Sequence, residues 1–364
     1  MKHPRWILAA IFAGAITVTV AAAHLQEKGG SDDFGPYDPA VNWLKPVRAG
    51  WLERGASVFV ESPNRIFYTT DLEFVPHRGP GGPGAMAATS APASQDHHYV
   101  MILDANGNVV EEWSQWSKLF NMPHRVAISP YDPERAVWIV DRDNDQIFKF
   151  SNDGKKLLMT LGERGVQASD ETHFGRPADI AFLPDGSFYV ADGYANTRVV
   201  KLDKNGKFLF AWGTQGDGPG QFNVQVHDVA IDQKGRVLVA DRGNDRIQIF
   251  DANGKYLDQW PHIKKPSYLH ITKDGYVWVV SGAGNRLAKY DMNGRLLTYW
   301  GMYGVFPGSF DDPHDLSVDA EGNLYVSIFS TQKVGLEKYV PRPNADRSRL
   351  IGPGFDRTLP AMTH

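Results

Sequence analysis

The stretch HDVAIDQKGRVLVADRGNDRIQIFDANGKYLDQW, His227 to Trp260, reads as four short strands separated by turns. An apolar alternation ends near Asp232 and turns at Lys234-Gly235; VLVAD and RIQIF follow, and Asn253-Gly254 leads into a last strand ending on Trp260. Asn-Gly marks a type I′ hairpin, because both central residues need φ > 0. The same unit stands upstream as ADIAFLPDGSFYVADGYANTRVVKLDKNGKFLFAW, Ala178 to Trp212. Asn106-Gly107, Asn205-Gly206 and Asn293-Gly294 occupy the last turn in further copies.

Aligning the lead position of the first strand gives Ala56, His124, Ala178, His227, Ser267 and His314, six copies at spacings of 68, 54, 49, 40 and 47 residues. Four-stranded units repeated radially make a β-propeller, which hides its sheet edges by closing on itself. The expected fold is therefore all-β, a six-bladed propeller over residues 48–340. The wide first spacing holds an insertion, Pro76 to His98, whose Gly, Pro, Ala and Ser predict a surface loop. Residues 24–47 read as a linker, and the Pro-rich residues 341–364 as a C-terminal tail.

Composition narrows the function classes. A net charge of −4 gives no reason to expect nucleic acid or an anionic membrane as partner. The absence of cysteine excludes disulfides, thiol nucleophiles and thiolate ligands, so any metal must be held by histidines, carboxylates or backbone carbonyls. Lys2 and Arg5 precede an apolar run from Trp6 to Ala23 that ends on Ala21-Ala22-Ala23. Residues 1–23 are read as a signal peptide, with an uncleaved N-terminal anchor as the alternative and the only membrane contact expected. The expected location is exported, periplasmic or extracellular, and the expected state is a monomer.

The lead position carries the functional signal. It is histidine in blades two, four and six (His124, His227, His314) and small in blades one, three and five (Ala56, Ala178, Ser267). Innermost strands line a propeller's channel, so the three histidines should lie about 120° apart on the axis. Three imidazoles with an open fourth position are the ligand set of a catalytic zinc. A single histidine at such a position would more often be a polar filler. His77, His97, His98 and His270 are read as loop or satisfied strand residues.

The repeats resemble NHL-type propellers. With the three histidine motifs, HFGRPADIAF (His173 to Phe182), ADGYANTRVVKL (Ala191 to Leu202) and VADRGNDRIQIF (Val239 to Phe250), residues 50–340 resemble the peptidyl-α-hydroxyglycine α-amidating lyase family. The resemblance implies a zinc (Zn2+) held by His124, His227 and His314. It implies cleavage of a carbinolamide, a small-molecule or peptide substrate, into an amide and glyoxylate. It further implies Tyr194 as the base for the substrate hydroxyl, Arg242 as an active-site arginine, and a structural calcium (Ca2+) held by Asp315 and the carbonyls of Val126 and Val58. Arg142 holds in blade two the place of Arg242 in blade four and offers a second cation, or else a loop ion pair. Thr70 stands where the family has a catalytic arginine, and Asp312 where it has a methionine. Two alternatives accompany this reading: a non-catalytic exported binding propeller, and a metal-dependent lyase or hydrolase re-tuned for another small substrate.

Overall fold

The computed structural model describes residues 35–48, 52–78, 86–90 and 97–354. Contacts divide the chain into Met1–Gly30 and Ser31–His364; the segment read as a signal or anchor lies outside the described residues.

The described residues form a six-bladed propeller with no α-helix among them. Blade four shows the pattern: Val226–Ile231, Val237–Asp241, Arg246–Phe250 and Tyr256–Trp260 pair antiparallel in chain order. Gly254 adopts φ 81° in the Asn-Gly turn, as do Gly107, Gly206 and Gly294 at φ 79–81°, but the preceding asparagines keep negative φ. The expected type I′ turn is thus corrected to a turn from Asp251 to Gly254 with glycine alone in the left-handed region. Second and third strands are buried on both faces, so each reads as a near-continuous apolar run. The core lies between blades; one cluster joins Phe222, Val239 and Phe250 of blade four to Tyr189 and Val199 of blade three.

Two expectations are corrected. Tyr37–Pro39, inside the presumed linker, pairs with Leu336–Pro341 and supplies the outer strand of blade six. The ring is thus closed by its own N-terminal segment, which removes an open sheet edge. The insertion is not loop throughout: Arg65–Arg78 pairs with Met86–Ser90 as a hairpin beside blade one. The tail folds back as well, with buried Ile351 donating its N–H to the Tyr37 hydroxyl at 2.8 Å.

One feature of the inner strands positions the site. In every blade the register slips at the lead position, leaving Ala56, His124, Ala178, His227, Ser267 and His314 without a partner on the second strand. A β-bulge bends the strand and re-aims its side chains. Here, in blades two to six, both the lead residue and its successor line the channel, so two layers of side chains stack along the axis. Buried aspartates pin the loops that lead into these bulges. Asp141 accepts from the N–H groups of Asn121 and Met122, and Asp192 from that of Gly175.

Candidate metal centre

Among the described residues, one group of histidine or carboxylate side chains could hold a metal ion: His124, His227 and His314, all buried, with ligand atoms within 4.8 Å of one another. Their ring centroids are 4.6–5.0 Å apart. Each Nδ1 donates to a backbone carbonyl of the next blade's lead residue: His124 to Ala178 at 2.8 Å, His227 to Ser267 and His314 to Ala56 at 2.7 Å. A carbonyl can only accept, so Nδ1 carries the proton and each Nε2 presents a lone pair inward. The alternation of histidine and small residue therefore has a second cause besides space. The bulged backbone at Ala56, Ala178 and Ser267 orients the imidazoles, as outer-shell carbonyls do for metal-bound histidines.

Electrostatics keep the rings neutral. Burial pushes His314 down to about 3, with Arg242 adding to the effect. His124 and His227 lie well below the ordinary histidine value, through burial first and then neighbouring His314 and Arg242 respectively. Of the three neutral Nε2 atoms, two share one hydroxyl, that of Tyr194, 2.8 Å from His227 and 3.1 Å from His124. One phenol proton cannot satisfy both lone pairs. The donor set thus fits a cation, and imidazole ligands suit zinc, copper, iron or nickel.

Tyr194 is placed by Asp192-Gly193. Gly193 lies so close to Val226 that a Cβ on it would be 2.1 Å from the Val226 carbonyl oxygen. Gly193→Ala is expected to cost roughly 1–3 kcal/mol through this overpacking and to displace Tyr194; urea unfolding and the activity assay together check it. Burial pushes the Tyr194 phenol up from its ordinary value, with Arg242 and Arg142 partly countering it. The arginine effect has the expected sign, but burial outweighs it.

The two arginines differ. Arg142 pairs with Asp143 at 2.7 Å, and its guanidinium also lies 4.8 Å over the Tyr194 ring. Arg242 donates to Gln225 at 2.9 Å and stands 3.7 Å from Asp312. Its buried Nε and Asp312 Oδ1 make no hydrogen bond, leaving polar capacity at the channel mouth. Thr70 does not face the centre as a free group, since its hydroxyl donates to the His98 carbonyl at 2.6 Å. His270 is a satisfied strand residue, bonded to the Gly352 carbonyl at 2.8 Å.

Arg54 was missed from sequence. Its guanidinium, held by Asp71 at 2.8 Å, lies 4.3 Å over Phe329, and Phe329 stacks on His314 at 5.1 Å. The signal available was the place of Arg54 two residues before the lead position Ala56. A cavity of about 440 Å³ lies at the ring-closure seam by Trp43 and Leu44 and includes none of the three histidines.

The anticipated calcium ligands lie in one buried network with Arg125. Asp315, Val126 and Val58 do meet, but the Asp315 carboxylate accepts from the Ser57 hydroxyl at 2.5 Å, the Val58 N–H at 3.1 Å and the Arg125 guanidinium. The Val126 N–H closes the network on Ser57 at 3.2 Å. An arginine cation therefore already holds the oxygen that a hard cation would need.

The fold and site define a class: a six-bladed propeller with three channel histidines on alternate blades. A family model described as a 6-bladed beta-propeller matches residues 165–295. The chain is 34% identical over 250 residues to a probable peptidyl-alpha-hydroxyglycine alpha-amidating lyase of Caenorhabditis elegans, covering 65% of this chain and 68% of that protein. It is 31% identical over 246 residues to NHL repeat-containing protein 3 of Mus musculus, covering 62% and 69%. Peptidyl-glycine alpha-amidating monooxygenase B of Xenopus laevis is 30% identical over 62% of this chain, a match spanning 27% of that longer protein. The chain belongs to the family of NHL-repeat propellers that includes the peptidyl-α-hydroxyglycine α-amidating lyases.

Proposed function

We propose that this protein is a zinc-dependent carbon–nitrogen lyase that converts a carbinolamide into an amide and glyoxylate. The observation that carries the reading is the Tyr194 hydroxyl, 2.8 Å and 3.1 Å from two inward Nε2 atoms with the Arg142 guanidinium over its ring. When bound by His124, His227 and His314, the metal supplies positive charge that polarises an adjoining oxygen and favours loss of its proton. Tyr194 Oη, as phenolate, takes the substrate hydroxyl proton. The O–H electron pair becomes the new C=O bond as the C–N bond breaks with its pair on nitrogen. Tyr194 returns the proton to that nitrogen, so the products are a primary amide and glyoxylate, with no net oxidation. Arg142 and Arg242 offset part of the burial that disfavours a Tyr194 phenolate, so the charge of the bound metal is what completes its ionisation, and with Arg54 they suit a substrate bearing a carboxylate. The assay is glyoxylate release from α-hydroxyhippurate by zinc-loaded protein, with release expected. No release from protein with zinc bound would overturn this substrate in favour of the same site acting on another carbinol. Thr70, its hydroxyl committed to His98, is the observation favouring that second reading. The proposal includes export through the N-terminal apolar segment and action as a monomer.

A further inference from the structure

The residue after each lead position forms the second ring: Ser57, Arg125, Asp179, Asp228, Tyr268 and Asp315, one from each blade. It contains three carboxylates and one cation, all buried. Arg125 reaches across the channel. Its Nε is 2.8 Å from Asp179 of blade three, its Nη1 contacts Asp315 of blade six, and its Nη2 donates to the Tyr268 hydroxyl of blade five at 3.0 Å. The guanidinium carbon also lies 4.5 Å from the Tyr268 ring centroid. Burial alone would lower its pKa, but Asp315, Asp179 and Asp228 outweigh that and hold it above the ordinary arginine value. The cavity left among these residues is about 10 Å³, no more than a water needs.

We propose that the Arg125 guanidinium is the permanent cation of this lower ring, taking the place of a bound calcium, so that the protein carries metal only at the three-histidine centre. Three buried carboxylates facing one axis need a counter-charge, since uncompensated charge is costly in a protein interior. A divalent ion with six to eight oxygen ligands is one solution. A planar fork of five N–H donors from blade two is another, and it ties blades two, three, five and six together covalently on one side and through ion pairs or hydrogen bonds on the other. Ser57 and the Val58 N–H complete the shell of Asp315, leaving Oδ2 with three donors.

The test uses the full chain, zinc-loaded and dialysed into calcium-free buffer, then titrated with CaCl2. The expected result is no calcium by elemental analysis and a Tm unchanged by millimolar calcium. Arg125→Ala should lower Tm on the order of 10 °C, as expected for a broken buried ion pair in a domain this size, and its Tm should rise again on adding calcium. One equivalent of calcium bound by the wild type, or a wild-type Tm that rises with calcium, would overturn the proposal. So would an Arg125→Ala protein as stable as the wild type without calcium. If that variant does not accumulate as folded protein, the wild-type calcium titration alone decides, and it does not depend on catalytic activity.

Discussion

His227→Ala is expected to leave the protein without zinc and without activity. Loss of an outer-shell partner of a metal histidine typically costs about 10–100-fold in affinity, so removal of a ligand should cost more than about 100-fold. Elemental analysis should fall from about one zinc per chain to a trace, consistent with a site of three protein ligands. His227 contributes no core packing between blades, because its ring faces the channel among His124, His314 and Tyr194. The fold should therefore persist, less stable by whatever the bound ion contributes by mass action. His270→Gln is the control: His270 is equally buried in the inner strand of blade five but bonds only to the Gly352 carbonyl at 2.8 Å. Its substitution should leave zinc content unchanged. Retention of zinc by His227→Ala, with His270→Gln behaving likewise, would dismiss the three-histidine centre.

The second large effect is expected at Tyr194. Tyr194→Phe removes the hydroxyl shared between His124 and His227 but keeps the ring beneath Arg142 and beside both imidazoles. A lost general base costs roughly 10²–10⁴-fold in kcat. KM and zinc content should stay near the wild-type values, the split expected when an interaction acts in the transition state rather than in binding. Because the ring remains, packing against Val226 through Gly193 is undisturbed and Tm should barely move. A kcat within about threefold of wild type, against that 10²–10⁴-fold expectation, would assign the proton transfer to another group.

What could be read from the chain alone was what repeats. Strand pattern, Asn-Gly turns and the phase of the histidines are local, and a unit recurring six times lets weak local signals be added together. Blade number, the channel histidines and the fold class followed from that register. The position of Tyr194 after Asp192-Gly193 came from family resemblance, and the structure supplies its cause in the close approach of Gly193 to Val226.

Tertiary structure decided whatever depended on reach between blades. Ring closure pairs residues some three hundred positions apart, Tyr37 with Pro341, and three residues carry too little periodicity to stand out from a linker. Arg54 lies on a first strand, yet its long side chain stacks on Phe329 of blade six. The lower ring is the clearest case. Aligning the position after the lead would have placed a lone arginine among three aspartates, but not where its guanidinium goes. A flexible side chain of that length can snorkel to solvent or cross the axis, and only the surrounding carboxylates of Asp179, Asp228 and Asp315, brought together from three blades, make the crossing favourable.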